Sequence, residues 1–459
     1  MPTRRTQLAL SLSTAMLAAC ATAPSFTERP PIVFVHGNGD SAALWQTTIW
    51  RFESNGWPRD RLFAFDQPFP LARESDPAAQ PGRSSTAESL AFLQAEVDRV
   101  LKATGARKVV LIGNSRGGNT IRNYVQNGGG DQRVSEVILG GNPAHGIWNI
   151  AGFNEASEFS ARSPFLRQLN QPKGANGDEV TPGVRWLTVR SDNNDKYAQP
   201  DGLWIGMPGK PTQVGFDGPA LRGASNVVLP RVDHRETSFS PAAFDAAWRF
   251  LTGAAPATLQ PVPEPGVTLS GRVTGLGTDA LNPKSGNFTN NLPLPGAQLA
   301  VFAVDPATGQ RRGNAAWEQT VGSEGRWGPF NARPDTFYEF VITAAGYDTT
   351  HVYRSPFPRS SAVVNMRPER VLPADRDAQA LVLMARPRGY FDLQRDTLRL
   401  DGNPKPAGVP PQGAGVASAK LKLPSDAPRA VVAEFNTERV AGQTWPLAQG
   451  HVSVLELTY

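Results

Sequence analysis

From Pro31 to Gly253 short apolar runs alternate with amphipathic stretches, and this alternation most constrains the fold. IVFVHG (Ile32 to Gly37), RLFAF (Arg61 to Phe65), KVVLIG (Lys108 to Gly113), VSEVILGG (Val134 to Gly141), VRWLTVR (Val184 to Arg190) and NVVLPRV (Asn226 to Val232) have the length of strands. STAESLAFLQAEVDRVLKATG (Ser85 to Gly105) has helical spacing behind a serine, and SPAAFDAAWRFLTG (Ser240 to Gly253) closes the series. Strands that are apolar throughout must be covered on both faces, so the pattern predicts an α/β unit built on a doubly wound parallel sheet. Residues 142–183 hold no strand pattern, which is long for such a connection. Their Trp148, Ile150, Phe153, Phe159, Phe165, Leu166 and Leu169 predict a helical cap above the C-terminal edge of the sheet, either lining a pocket or only packing there.

The texture changes at Ala254. AAPATLQPVPEPG (254–266) is a Pro-rich linker, semi-rigid and unsuited to a helix or a central strand. Beyond it VTLSGRVTG, AQLAVFAV, FYEFVITAAGY and SAVVNMRP are short β-type runs between Gly, Pro and Asn clusters, as in a sandwich. A chain of 459 residues exceeds a usual single domain. The predicted organisation is therefore a catalytic-sized α/β domain over 28–253, the linker, a β-sandwich over 267–370, and a second β-rich domain over 371–459. The net charge of +5 includes Arg4 and Arg5, which leaves +3 spread over the remainder. That dispersed balance is too small to argue for a nucleic-acid partner, and none is expected. No metal-ligand cluster and no phosphate loop stands in the sequence, so no cofactor is implied.

The first twenty residues, MPTRRTQLALSLSTAMLAAC, join a basic pair to an apolar stretch too short to span a membrane, the pattern of an export signal. Its end, Leu17-Ala18-Ala19-Cys20, resembles a bacterial lipobox. Cys20 is the only cysteine, so an acyl anchor explains it better than redox chemistry, and a cell-envelope lipoprotein is expected. Cleavage after Ala23 would instead give a freely secreted protein, and Arg4-Arg5 with Leu8 also resembles a weak twin-arginine signal.

KVVLIGNSRGGNTI (Lys108 to Ile121) runs an apolar strand straight into a serine ringed by glycines. Gly113, Ser115 and Gly117 fit G-x-S-x-G, in which the serine sits on a strained strand-to-helix turn that lifts its hydroxyl clear of the sheet. A glycine-rich turn with an incidental serine fits as well, so the other residues decide. A serine hydroxyl needs a base within reach and an acid to orient that base. Of the five histidines, 36, 145, 234, 351 and 451, His234 follows the last predicted strand in a short loop before the closing helix, where such a base belongs. The acid should lie just past a strand between Ser115 and His234. WLTVRSDNNDKYAQPDG offers Asp192, Asp195 and Asp201; Asp195 leaves enough chain to turn back toward the His234 loop and is preferred, with the other two open. An oxyanion also needs two donors. Arg116 supplies one backbone amide, and the turn His36-Gly37-Asn38-Gly39 offers another from Asn38, with His36 orienting the loop.

FVHGNGDSAALWQTTIWRFESNGWP, LIGNSRGGNTIRNYV and the VDHRETSF loop resemble the lipase and esterase branch of the α/β-hydrolases, and especially microbial lipases in which a β-rich tail follows the catalytic domain. The tail phrase from LPLPGAQLAVFAV to FVITAAGY resembles the carboxypeptidase-regulatory or transthyretin-like β-sandwich. The resemblance implies a serine carboxylesterase or lipase that works through an acyl-enzyme, with Ser115, His234 and Asp195 as its triad and the amides of Asn38 and Arg116 as its oxyanion hole. Asn114 and Arg116 depart from the His and the uncharged residue common around such a serine, which leaves the substrate open. A depolymerase of aliphatic polyesters would use the same site, and a non-catalytic surface binding protein would use only the scaffold. Because these candidate residues all precede Gly253, a fragment ending near Leu259 is expected to hydrolyse short soluble esters. Of the tail aromatics such as Trp317, Trp327, Phe337 and Tyr338, some are expected in the sandwich core and an exposed subset to assist on lipid or polymer surfaces.

Overall fold

The computed structural model describes residues 29–192, 194–198, 207, 209–210, 212–278 and 287–459. All six strands expected in the first unit are present: β1 (Ile32–Val35), β2 (Leu62–Ala64), β3 (Val109–Asn114), β4 (Val134–Gly140), β5 (Arg185–Ser191) and β6 (Ser225–Leu229). They form one parallel sheet in the order β2-β1-β3-β4-β5-β6. Alternate side chains on each strand face opposite layers. Val110 and Ile112 pack under α1 (Gln46–Ser54) and the closing helix Pro241–Thr252, through Phe52, Phe244 and Trp248. Val109 and Leu111 pack on the other face against α2 (Thr86–Thr104) and α3 (Arg116–Asn127), through Leu93, Val97, Ile121 and Tyr124. This is the doubly wound α/β architecture that the strand pattern requires. α2 starts where its sequence says: the Ser85 side chain accepts from the Glu88 amide, and the Glu88 carboxylate accepts from the Ser85 amide.

Part of the cap is helical, as its apolar residues suggest. Residues 142–183 hold a single six-residue helix, α4 (Pro164–Leu169), and otherwise run as turns joined by a bridge between Trp148 and Ser160. Its aromatics are too widely broken by Gly146, Gly152, Asn154 and Pro164 for longer helices. Polar anchors hold it instead: Arg122 donates to the carbonyls of Ala144 and Leu169 and to the Asn170 side chain.

The tail is β-rich, and the boundary expected at 370/371 is crossed by one sheet. Seven strands run in the order Trp317–Thr320, Gln298–Val304, Phe337–Thr343, Thr349–Arg354, His451–Glu456, Ala380–Ala385, Ser418–Leu423. His451–Glu456 lies parallel to both of its neighbours, one from each side of the expected boundary. Trp327 and Tyr338 are buried in the core of this region, which removes them from the aromatics expected to meet a surface.

The linker packs on the first unit. It lies along α1, where Arg51 donates to the Leu259 carbonyl (2.8 Å) and Asn55 to the Thr258 carbonyl (2.9 Å). On the same helix, Trp50 leaves the first unit altogether. It is 1% exposed within the tail's core, edge-on to Phe357, with its indole N–H on the Ser360 carbonyl. The two regions therefore share a core residue, and the sequence gives no sign of it because Trp50 fits an amphipathic helix equally well.

Candidate active site

Ser115 stands between β3 and α3 with φ 53° and ψ −122°, a backbone state costly for any residue with a side chain, of order 1–3 kcal/mol. The strain persists because the surroundings fix it. The Ser115 N–H donates to Gly140 O at 2.8 Å, and Asn142 Nδ2 donates to Ser115 O at 3.0 Å. The glycines are needed for contact. A Cβ on Gly117 would stand 2.5 Å from the Val35 carbonyl oxygen, and one on Gly113 would stand 3.0 Å from the backbone of Gly117. Strand and helix could not cross here with larger residues.

His234 lies in the loop after β6. Its Nδ1 is 2.7 Å from Asp195 Oδ2, and both side chains are buried. Asp195 is set in place by its own turn, its Oδ1 accepting from the Tyr197 N–H at 2.8 Å. The Tyr197 ring meets the imidazole edge-on at 4.5 Å between centroids. Asp192 is engaged elsewhere, its Oδ1 accepting from the Arg231 N–H at 2.8 Å. Asp201 lies outside the described residues.

The end of β4 brings serine and histidine loops together. Gly140 accepts from Ser115, and the next residue, Gly141, is so close to the His234 loop that a Cβ there would stand 2.8 Å from the His234 carbonyl oxygen and 3.1 Å from Nδ1. Asn114, immediately before the serine, donates to the His234 carbonyl (3.2 Å) and to Ser238 Oγ (2.8 Å). The departure at position 114 thus ties the two loops together.

The loop after β1 approaches the same point: a Cβ on Gly37 would stand 3.0 Å from Ser115 Cβ. His36 holds this loop by accepting the Gln67 N–H on Nε2 (3.1 Å), and the Asn38 side chain accepts the Ala72 N–H (2.7 Å). Among the described residues neither the Asn38 nor the Arg116 backbone N–H donates a hydrogen bond. The Arg116 guanidinium points away from that role. Fully buried, it forms a bidentate pair with Glu158 of the cap (2.8 and 2.9 Å) and donates to Ser84 and to Pro70 O, so it pins cap and loop to the serine helix.

The remaining histidines lie elsewhere. His145 bonds Glu179 within the cap, with burial pulling its pKa below the ordinary value. His351 and His451 bond each other in the tail at 2.9 Å, beside Glu339.

Sequence reasoning missed a further group. Asp233, wholly buried beside His234, accepts from Arg386 Nη1 (2.8 Å) and from the Tyr390 N–H (2.7 Å) of the tail, and Glu236 pairs with Arg386 and Arg395. The chain separation of 153 residues between Asp233 and Arg386 leaves no local signal that could have revealed this.

The parallel sheet and its layers define an α/β-hydrolase fold, and residues 30–170 match the family described as alpha/beta hydrolase fold. Residues 265–371 match the lipase C-terminal domain. The chain thus joins an α/β-hydrolase fold to a region similar to the lipase C-terminal domain. Among solved structures it is similar to Aspergillus fumigatus lipase B, at 16% identity and TM-score 0.35 over 51% of this chain and 56% of that one. It is also similar to the Bacillus licheniformis lipase BlEst2, at 20% identity and TM-score 0.35 for the mature form, over 49% of this chain and 92% of that one. For the propeptide form of BlEst2 the values are 14% and 0.36, over 92% of this chain and 94% of that one.

Proposed function

We propose that the protein is an exported serine carboxylic-ester hydrolase, a lipase or esterase acting on acylglycerol-type esters. The observation that carries this reading is the buried 2.7 Å bond between His234 Nδ1 and Asp195, set at the strand ends beside a strained Ser115. With Nδ1–H held by the carboxylate, His234 Nε2 is left as the acceptor that a serine nucleophile requires. Ser115 Oγ gives its proton to Nε2 and attacks the ester carbonyl. The oxyanion is received by the amides of Asn38 and Arg116. Collapse of the intermediate, with the proton passing from His234 to the leaving alkoxide, leaves an acyl-serine and a free alcohol. Water, activated by the same imidazole, then releases the acid.

A fluorophosphonate probe tests the reading directly. Labelling confined to Ser115, with hydrolysis across a series of p-nitrophenyl esters, tributyrin and triolein, is the expected result; an unlabelled, inactive, folded protein would leave only a binding role for the scaffold. Asp195→Asn is expected to lower turnover on the order of 10³- to 10⁴-fold, because a neutral amide neither enforces the tautomer nor stabilises the imidazolium. Asp192→Asn should stay within a few fold of wild type in the same assay; the reverse ranking would identify a different acid.

Export and anchoring rest on the leader, which lies outside the described residues with Cys20. Metabolic labelling with a fatty-acid analogue should mark Cys20 as the mature N-terminus, whereas an unlabelled protein beginning at Pro24 would mean simple secretion.

A further inference from the structure

One short segment of the tail, Arg386 to Tyr390, touches the chain neighbours of both His234 and Asp195. Asp233 precedes His234, and all its acceptor capacity is in use. Oδ1 takes the N–H groups of Arg235 (2.8 Å) and Glu236 (2.9 Å), closing the turn on which His234 sits. Oδ2 takes Arg386 Nη1 (2.8 Å) and the Tyr390 N–H (2.7 Å), fixing that turn to the tail. Arg235, on the other side of His234, donates to the Pro387 carbonyl at 3.0 Å and lies over the Tyr390 ring at 5.0 Å. It also pairs at 3.0 Å with Asp40, two residues past Asn38. Lys196, next to Asp195, lies over the same Tyr390 ring at 4.7 Å.

Arg386 is itself immobilised. Its Nε donates to the Tyr459 carbonyl (2.9 Å), its Nη1 also donates to Tyr390 O (2.6 Å), its Nη2 pairs with Glu236, and its guanidinium lies over Phe435 at 4.5 Å. A planar fork of fixed donors can hold Asp233, Glu236 and Tyr390 at once, which the single charged point of a lysine cannot. The two carboxylates, Asp233 and Glu236, have opposite responses to this setting. The arginines and backbone donors keep Asp233 below the usual carboxylate range despite its burial, while burial and the neighbouring Asp233 raise Glu236.

We propose that the Arg386–Tyr390 segment is a positioning element for the hydrolytic site, with Arg386 acting through Asp233 to set the imidazole of His234 against Asp195 and the serine. The inference rests on the serine-hydrolase reading above. Arg386 contacts no reacting atom. It acts by denying the His234 turn the small displacements that proton transfer does not tolerate; a misplacement of about 1 Å can cost on the order of 10²-fold in rate.

The test uses the full chain and p-nitrophenyl butyrate. Arg386→Met is expected to lower kcat about 10²-fold and Arg386→Lys about tenfold, with KM within about threefold of wild type and fluorophosphonate labelling slowed in parallel. Arg311→Met, which breaks the Arg311–Glu339 pair inside the tail, is the control for a merely structural effect. It should lower the melting temperature without moving kcat. A folded Arg386 variant with kcat within twofold of wild type overturns the proposal. So does an Arg311→Met loss as large as that of Arg386→Lys, or failure of both Arg386 variants to fold while Arg311→Met folds. Ser115→Ala in the same assay separates the two readings: if it keeps turnover, the serine mechanism is wrong, whereas an inactive Ser115→Ala beside wild-type-like Arg386 variants removes only the positioning role.

Discussion

Ser115→Ala is expected to lower turnover on p-nitrophenyl butyrate by 10⁴-fold or more, on the order expected when a serine hydrolase loses its nucleophile, while the protein keeps its fold. The reason for the second half is local. Alanine keeps the Cβ that Gly37 already accommodates, and the bonds from Gly140 and Asn142 that hold the strained turn run to the backbone of residue 115. Any binding by the oxyanion donors is also retained, so KM should change little where substrate binding is at equilibrium. Circular dichroism and thermal melting establish the fold, and purified folded protein retaining more than about 1% of wild-type turnover would refute the nucleophile.

A chain ended after Leu259 is expected to lose more than 10²-fold in activity even on short soluble esters, contrary to what the linker composition suggested. Two losses coincide. Trp50, 1% exposed in the whole protein, would stand in water on α1, forfeiting about 2–3 kcal/mol of apolar burial. Asp233 and Glu236 would lose Arg386 and Arg395 and face each other beside His234. Removing one side of a buried ionic cluster costs about 3–5 kcal/mol where the remaining charges stay buried, and here the loop can escape that cost only by moving. Rates on p-nitrophenyl butyrate and on an emulsion, measured for both chains, distinguish the outcomes. Equal rates on the soluble ester would make the tail an accessory after all.

The parallel sheet was legible because each strand carries its own signal, an apolar run bounded by Gly, Asn or Asp, and the layers follow from burial on both faces. The strained turn at Ser115 was legible because it demands glycines at fixed offsets, and the position of the His234 loop because the order of elements puts it at the end of the sheet. Asp195 could be narrowed only to a trio, since three aspartates stand within one loop and the tie to His234 is a matter of where that loop folds. Arg386 was beyond reach. Its chemistry is satisfied by partners 150 and 153 residues away, and a buried arginine looks in sequence like any surface one. The single sheet that spans position 371 was not legible for a related reason: strand patterns reveal which segments are strands, not which segment lies beside which.

The placement of His451–Glu456 between Thr349–Arg354 and Ala380–Ala385 bears on the order of events during synthesis. The first unit can begin to fold as soon as its strands are made, since domains tend to form from the N-terminal side as they emerge. The tail sheet cannot be completed so early. Its two halves meet only through a strand near position 456, so they remain two open edges until nearly the whole sequence has been translated. Arg386 lies in the half that waits. A product cut short between the His234 loop and this strand would carry Ser115, Asp195 and His234 without the completed tail sheet against which that histidine loop is held.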